Sequence, residues 1–298
     1  MVKKLADLYL DARRALSQRE DLQQAGVLAR QLVCHVTGKT YEQFLAQRDL
    51  YATEANCTDL DDAVRRVLAD EPLAYVLGQW DFYGMTLQVN PYVLIPRDDT
   101  CAVTDLAIKK ALFLDTSPRI LDMCTGSGCI GLAIAHRVKD ARVTLADISP
   151  EAMTVAKSNI KGQKLTGRVS CVRANALEQP PAFLGQFDMI VSNPPYVTGA
   201  EMEVLDKSVK DYEPALALFG GADGLDFYRS IANHYKQALK PDGYLCFEFG
   251  MGQGDDVCQI LEMNGYTILE RTRDYNDRER AVLAQLRRKK DGNKEDCL

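Results

Sequence analysis

A chain of 298 residues, 46% hydrophobic and 26% charged, can remove roughly three quarters of its unfolded surface from water, enough for one large domain and a smaller one. Its formal net charge of −6 argues against a broad phosphate-binding face and favours a protein or small-molecule substrate over stable binding of nucleic acid. Nine cysteines without a C-x-x-C pair, and three widely separated histidines, His35, His136 and His234, leave no metal site and read as free thiols in a reducing cytoplasm.

At the N-terminus, Leu5, Leu8, Ala12, Ala15 and Leu16 keep helical spacing. Asp7 and Asp11 interrupt that pattern, and no run in the chain approaches the ~20 apolar residues of a membrane span, so neither signal peptide nor membrane anchor is expected. Val27, Leu28, Leu32 and Val33 mark a second helix with Gly38 as its stop, and Tyr41, Phe44 and Leu45 a third. A fourth, marked by Leu60, Val64, Val67 and Leu68, is expected to be capped by Thr58 or Asp59 and to end before Pro72. Residues 1–75 thus form a small helical domain. Trp80, Phe82, Tyr83, Met85, Leu87 and Val89 predict a β-hairpin turning at Gly84, within a linker over 76–99.

From about residue 100 to 287, helices alternate with short apolar strands, near 119–122, 142–147, 169–172, 187–192, 243–249, 266–270 and 280–286. That alternation predicts a parallel sheet with helices on both faces. The last stretch, 288–298, has mixed charge and little apolar content and is expected to be a flexible tail.

Two loops at strand ends carry the chemistry. In Ile120-Leu121-Asp122-Met123-Cys124-Thr125-Gly126-Ser127-Gly128-Cys129-Ile130-Gly131 a strand runs into a glycine turn and then an apolar helix ending near Arg137. Gly126 and Gly128 permit φ > 0 and a close approach to a ligand, while the free N–H groups of the helix favour a polar or anionic one. The next strand ends in Asp147, about twenty residues on, where an acid can accept from both ribose hydroxyls; each well-formed bond contributes about 1.5–3 kcal/mol. The same spacing satisfies the dinucleotide fingerprint of NAD enzymes. Asp122 tips the balance toward a cofactor with an ammonium group, because a carboxylate pointing into the site would repel a pyrophosphate; as a purely structural residue it would instead cap a helix.

The second loop, Asn193-Pro194-Pro195-Tyr196, follows the apolar run from Phe187 to Ser192. Asn193 offers a carbonyl acceptor, Pro194 fixes φ and removes a backbone donor, and Tyr196 adds an aromatic face, so a planar NH2 group can be both hydrogen-bonded and stacked. This is the pattern of a nitrogen-methylation site, and equally of a plain turn that ends the strand. Both loops leave the C-terminal edge of the sheet, where open α/β folds bind ligands.

Taken with Glu71-Pro72-Leu73-Ala74-Tyr75-Val76-Leu77-Gly78, Leu94-Ile95-Pro96-Arg97-Asp98-Asp99-Thr100 and Asp274-Tyr275-Asn276-Asp277-Arg278-Glu279-Arg280, these loops make the chain resemble the HemK-like release-factor glutamine methyltransferases over nearly its whole length. The resemblance implies a Rossmann-like class I methyltransferase sheet, S-adenosyl-L-methionine as cofactor, and methylation of the glutamine amide in the Gly-Gly-Gln loop of class I peptide chain release factors. By that likeness Cys124, Thr125, Gly126, Ser127, Gly128 and Asp147 hold the cofactor, joined by Asp122 on the charge argument above and with Asn175 near its adenine, and Asn193, Pro194, Pro195 and Tyr196 hold the glutamine, Asn193, Pro194 and Tyr196 serving catalysis. The helical domain would dock the release factor. Ribosomal-protein glutamine methyltransferases are close relatives. An adenine-N6 nucleic-acid methyltransferase would use the same loop for an exocyclic amino group, and a cofactor-binding module without catalysis would keep the glycine loop alone. The chain departs from the family where Arg-Pro-Asp/Glu-Thr-Glu is expected and Arg97-Asp98-Asp99-Thr100-Cys101 stands, and where Cys124 replaces the first loop glycine. Glu248, ending a central strand, is either a polar wall of the substrate pocket or a structural acid.

Overall fold

The computed structural model describes residues 3–19, 24–114 and 117–287; the expected tail at 288–298 lies outside them. By contact the chain divides into two compact units, residues 1–79 with 206–212, and residues 80–205 with 213–298.

The first unit packs α1 (Leu5–Leu16), α2 (Ala25–Thr37), α3 (Tyr41–Gln47), α4 (Glu54–Leu68) and α5 (Leu73–Leu77) around Leu8, Leu16, Leu32, Val33, Leu60 and Val67. Gly38 ends α2 at φ +63°, as its position after the last periodic residue predicts. The start of α4 differs from expectation. Thr53, not Thr58 or Asp59, is the cap: Asn56 N donates to Thr53 Oγ1 at 3.1 Å, and Thr53 N to Asn56 Oδ1 at 3.2 Å. The first turn of α4 carries no buried side chain, so the apolar period that begins at Leu60 cannot register it, whereas the reciprocal Thr-x-x-Asn cap can. Residues 206–212 join this unit through Lys207, whose Nζ lies 3.2 Å from Asp70, and Tyr212, whose hydroxyl donates to the Ala69 carbonyl at 2.6 Å.

The hairpin of β1 (Gln79–Phe82) and β2 (Met85–Gln88) belongs to the second unit from Trp80 onward. Its turn residues Tyr83 and Gly84 have φ +52° and +77°, the two-residue turn whose twist suits paired strands. In chain order the remaining elements are α6 (Cys101–Ala111), β3 (Arg119–Met123), α7 (Cys129–Arg137), β4 (Arg142–Asp147), α8 (Pro150–Gly162), β5 (Val169–Arg173), β6 (Phe187–Ser192), α9 (Gly199–Val204), α10 (Lys207–Lys210, in the first unit), α11 (Asp226–His234), β7 (Leu239–Glu248), α12 (Gly254–Met263), β8 (Tyr266–Arg273) and β9 (Glu279–Leu286).

Seven strands form one sheet in the order β5-β4-β3-β6-β7-β9-β8. Pairing is parallel from β5 to β7, but β9 runs antiparallel to both β7 and β8, so the sheet is mixed rather than parallel throughout. A tight connection through 274–278 can join β8 and β9 only as a hairpin. β7 also starts four residues before the expected 243. Its register shifts between Leu239 and Tyr244, with Asp242 at φ +60°, and the Pro241-Asp242-Gly243 irregularity hides the earlier residues from an apolar-run reading. Helices cover both faces, as expected. One core joins Val103, Leu106, Ile130 and Ile134 to Ile120 and Val143; the other joins Tyr228, Ile231 and Leu261 to Leu121, Phe187 and Phe247.

Candidate active site

The chain order reverses between β3 and β6, the position at which open α/β sheets form a ligand crevice. Met123 and Ser192 pair at the ends of these strands, and Ser192 Oγ donates to the Met123 carbonyl at 2.6 Å. The loops after them therefore emerge side by side and border one cavity of about 460 Å3, a size typical of small-molecule sites.

Cys124, Gly126 and Gly128 all have positive φ, +59°, +53° and +87°. For Cys124 this is a strained conformation, and its surroundings hold it: Thr125 N donates to the Ala146 carbonyl at 3.0 Å, Gly126 N to Asp147 Oδ2 at 2.9 Å, and Gly128 N to the Thr125 carbonyl at 2.8 Å. Cys124, Thr125, Gly126 and Ser127 line the cavity. Gly128 instead caps α7 behind it, where an added Cβ would stand 3.0 Å from a Leu145 methyl. Ser127 Oγ is buried without a partner, a polar atom that a ligand can satisfy. Asp147 also lines the cavity; its Oδ1 takes the Ser149 N–H at 3.0 Å, and burial raises its pKa while the backbone N–H groups oppose the rise. Asn175 stands on the same wall with its amide engaged locally, accepting from Leu177 N at 3.0 Å and donating to Glu178 Oε1 at 2.9 Å.

Asp122 does not line the cavity. It shares a sheet face with Ile120, toward α7, because side chains alternate along β3. Wholly buried, its Oδ2 accepts from Thr125 Oγ1 at 2.6 Å and from Gly131 N at 2.9 Å, while Oδ1 has no partner. Burial pushes its pKa up to about 7. The carboxylate thus fixes the loop and the first turn of α7 from beneath, the capping role rather than contact with an ammonium.

In the second loop Asn193 and Pro195 line the cavity, whereas Pro194 and Tyr196 do not. Asn193 Nδ2 donates to Thr100 Oγ1 at 3.3 Å. Tyr196 packs inward against Gly250, where an added Cβ would lie 3.0 Å from its ring, so its aromatic face supports the loop instead of forming the wall. The Tyr196 carbonyl accepts from Gln253 Nε2 at 3.1 Å, and beside it Val197 N donates to the Leu218 carbonyl at 2.8 Å and Gly220 N to the Val197 carbonyl at 2.9 Å.

Against known proteins, residues 7–78 match the PrmC N-terminal domain and residues 104–220 the Methyltransferase small domain. The release factor glutamine methyltransferase of Clostridium acetobutylicum is 38% identical over 253 residues, covering 85% of this chain and 88% of that protein. The chain belongs to the release factor glutamine methyltransferase family. It also matches the bifunctional methyltransferase of Rickettsia prowazekii at 35% identity over 274 residues, 86% of this chain but 52% of that longer protein. The fold alone is shared with a methyltransferase from Pyrococcus furiosus, at TM-score 0.50 and 17% identity, over 76% of this chain and all of that one.

Members of this family are S-adenosylmethionine-dependent enzymes, and S-adenosylmethionine is the cofactor here. The cavity suits it: Ser127 Oγ and Asp147 offer polar contacts, and Ile148, Leu177 and Phe227 give apolar surface for a flat ring. Other residues of this methyltransferase were not evident from sequence. Thr100 faces Asn193, and Glu213, buried, accepts from Ile95 N at 3.1 Å and pairs with Arg97. Gly220 and Gly224 bring their backbone against Pro195 and Tyr196, leaving 2.6 and 2.3 Å for an added Cβ. The glycine cluster Gly220-Gly221-Ala222-Asp223-Gly224 was the available signal for that close approach. Among the described residues no group of three His, Cys, Asp or Glu side chains is placed to hold a metal, and no helix is long and apolar enough to cross a membrane.

Proposed function

We propose that this protein methylates the side-chain amide nitrogen of the glutamine in the Gly-Gly-Gln loop of class I peptide chain release factors. The observation that carries the reading is the adjacency of the glycine loop and Asn193 on one cavity, at the ends of paired strands. Cys124, Thr125, Gly126, Ser127 and Asp147 would hold S-adenosylmethionine, with Asn175 flanking it; Asp122 and Gly128 shape the loop from behind. The cofactor supplies an electrophilic methyl carbon on a sulfonium.

An amide nitrogen is a weak nucleophile because its lone pair is delocalised into the carbonyl. The contribution of this chain is therefore orientation and polarisation. Among the described residues no donor reaches Asn193 Oδ1, and Asn193 lines the cavity, so this oxygen is available to accept an N–H bond of a carboxamide. Holding the nitrogen in a reactive pose can offset about 7–11 kcal/mol of barrier. Acceptors aimed at the N–H groups also stabilise the positive charge that nitrogen gains as its new bond forms, and the surplus proton leaves to water. Tyr196, Pro194 and Pro195 keep Asn193 in place.

The test is transfer of a radiolabelled methyl group to release factor, ribosomal protein, DNA and transfer RNA offered in parallel. Label in the Gly-Gly-Gln glutamine is expected. Label only in ribosomal protein or nucleic acid would replace this reading. Asn193→Ala is expected to slow transfer by roughly 10²–10³ with S-adenosylhomocysteine affinity nearly unchanged, as for loss of one preorganised polar contact; near-normal turnover removes Asn193 from the mechanism.

A further inference from the structure

Behind Asn193 lies a buried ionic cluster that the reaction as derived leaves unused. Glu248 ends β7 with 1% of its surface exposed. The register of β6 on β7 pairs Ser192 with Phe247, which sets Asn193 beside Glu248 at the ends of the two strands; Thr100 and Asn193 favour its charged form, and its Oε2 has no hydrogen-bond partner. Asn193 Nδ2 also reaches Thr100 Oγ1 at 3.3 Å. An amide is planar, so with its NH2 end turned toward Thr100 and Glu248 its oxygen is left for the cavity that Asn193 lines.

Which way round that amide sits decides whether the site can work. Its two ends are nearly identical in shape, but only the oxygen can accept from an NH2 group. A flipped Asn193 would set donor against donor. An ionised carboxylate accepts and never donates, so it tolerates only one orientation of the amide beside it; a protonated carboxyl or a glutamine can donate to Oδ1 and so tolerates the flipped form. We propose that Glu248 is a positioning residue for methyl transfer, which with Thr100 holds the NH2 end of Asn193 and thereby aims Oδ1 at the substrate amide. The assignment rests on reading the substrate as a carboxamide.

The groups facing Glu248 are Asp99, Cys101, Cys129, Tyr196, Tyr228 and Arg280. Arg280 is already shared by Asp99 at 3.0 Å and Asp274 at 3.1 Å, so it only partly offsets the burial of a third carboxylate, and Glu248 is pushed up to about 7. Burial pushes the facing thiols and phenols upward, away from neutrality.

Two measurements on the full chain test this. In Glu248→Gln, kcat for release-factor methylation is expected to fall about 10-fold or more with S-adenosylhomocysteine affinity retained; wild-type kcat is expected to rise with pH through about 7, and the variant's to stay flat. Independently of turnover, the ¹⁵N side-chain amide resonance of Asn193, assigned by its loss in Asn193→Ala, should titrate near pH 7 in the wild type and not in Glu248→Gln. The wild-type titration stands even if the variant fails to fold. Wild-type kcat in Glu248→Gln, or an Asn193 resonance indifferent to pH, overturns the assignment. A wild-type enzyme that leaves release factor unlabelled refutes the substrate reading instead, while the resonance still reports on Glu248.

Discussion

Two carboxyl groups make the stability of this enzyme depend on pH. Asp122 and Glu248 are both raised to about 7, first by burial, from ordinary values of 3.8 and 4.5. Each binds more protons folded than unfolded between those values, so its contribution to stability is complete below about pH 4 and lost as the pH rises through about 7. Thermal midpoints of the wild type should therefore fall between about pH 5 and pH 8, and less steeply in Asp122→Asn; an equal fall in the variant would show that Asp122 does not ionise in this range. Asp147→Ala acts differently. Losing an acceptor on the cavity wall should weaken S-adenosylhomocysteine by about 10-fold or more, measured by calorimetry, at about 1.5–3 kcal/mol per bond to a charged group. Sequence reveals such residues but not their direction. Asp122 and Asp147 both stand at strand ends, yet alternation turns Asp122 under α7, while Asp147 reaches the cavity past Gly126.

Elements were legible where one chemical signal fixed them. The apolar runs of β3 to β6 and the stop at Gly38 needed no tertiary information. The start of α4 and the first residues of β7 carry polar or turn-forming residues, and their placement depends on a cap and on an irregular pairing that no periodicity expresses. The loop after β6 was legible as a site, but its support was not, because Gly220, Gly224 and Gln253 are brought to it from far along the chain. That support gives a test. Gly224 has φ +75°, and an added Cβ would fall 2.3 Å from the Tyr196 carbonyl, so Gly224→Ala must move the loop. A shift of about 1 Å costs on the order of 10²-fold in rate. Single-turnover kinetics should show that loss with S-adenosylhomocysteine binding within a few-fold of wild type; an unchanged rate would mean the loop tolerates displacement.

At the scale of the whole molecule, net charge and length bounded the substrate class and the division of the chain, but neither specifies what the helical unit does. That unit exposes large apolar side chains, Tyr41 at 43%, Leu45 at 47% and Tyr51 at 68%. If it docks the release factor, as proposed from the family likeness, replacing these three with alanine should raise KM for release factor about 10-fold with kcat retained, since remote contacts contribute binding without touching the reacting atoms. Unchanged KM would reduce the unit to a packing role. The path of the chain also bears on its synthesis. The helical unit recruits residues 206–212, so its last contacts are supplied by chain that is made after much of the methyltransferase sheet. Until residue 212 has emerged, Asp70 waits without Lys207 and the Ala69 carbonyl without Tyr212, so these contacts of the helical unit can form only after the first four strands of the methyltransferase sheet have been synthesised.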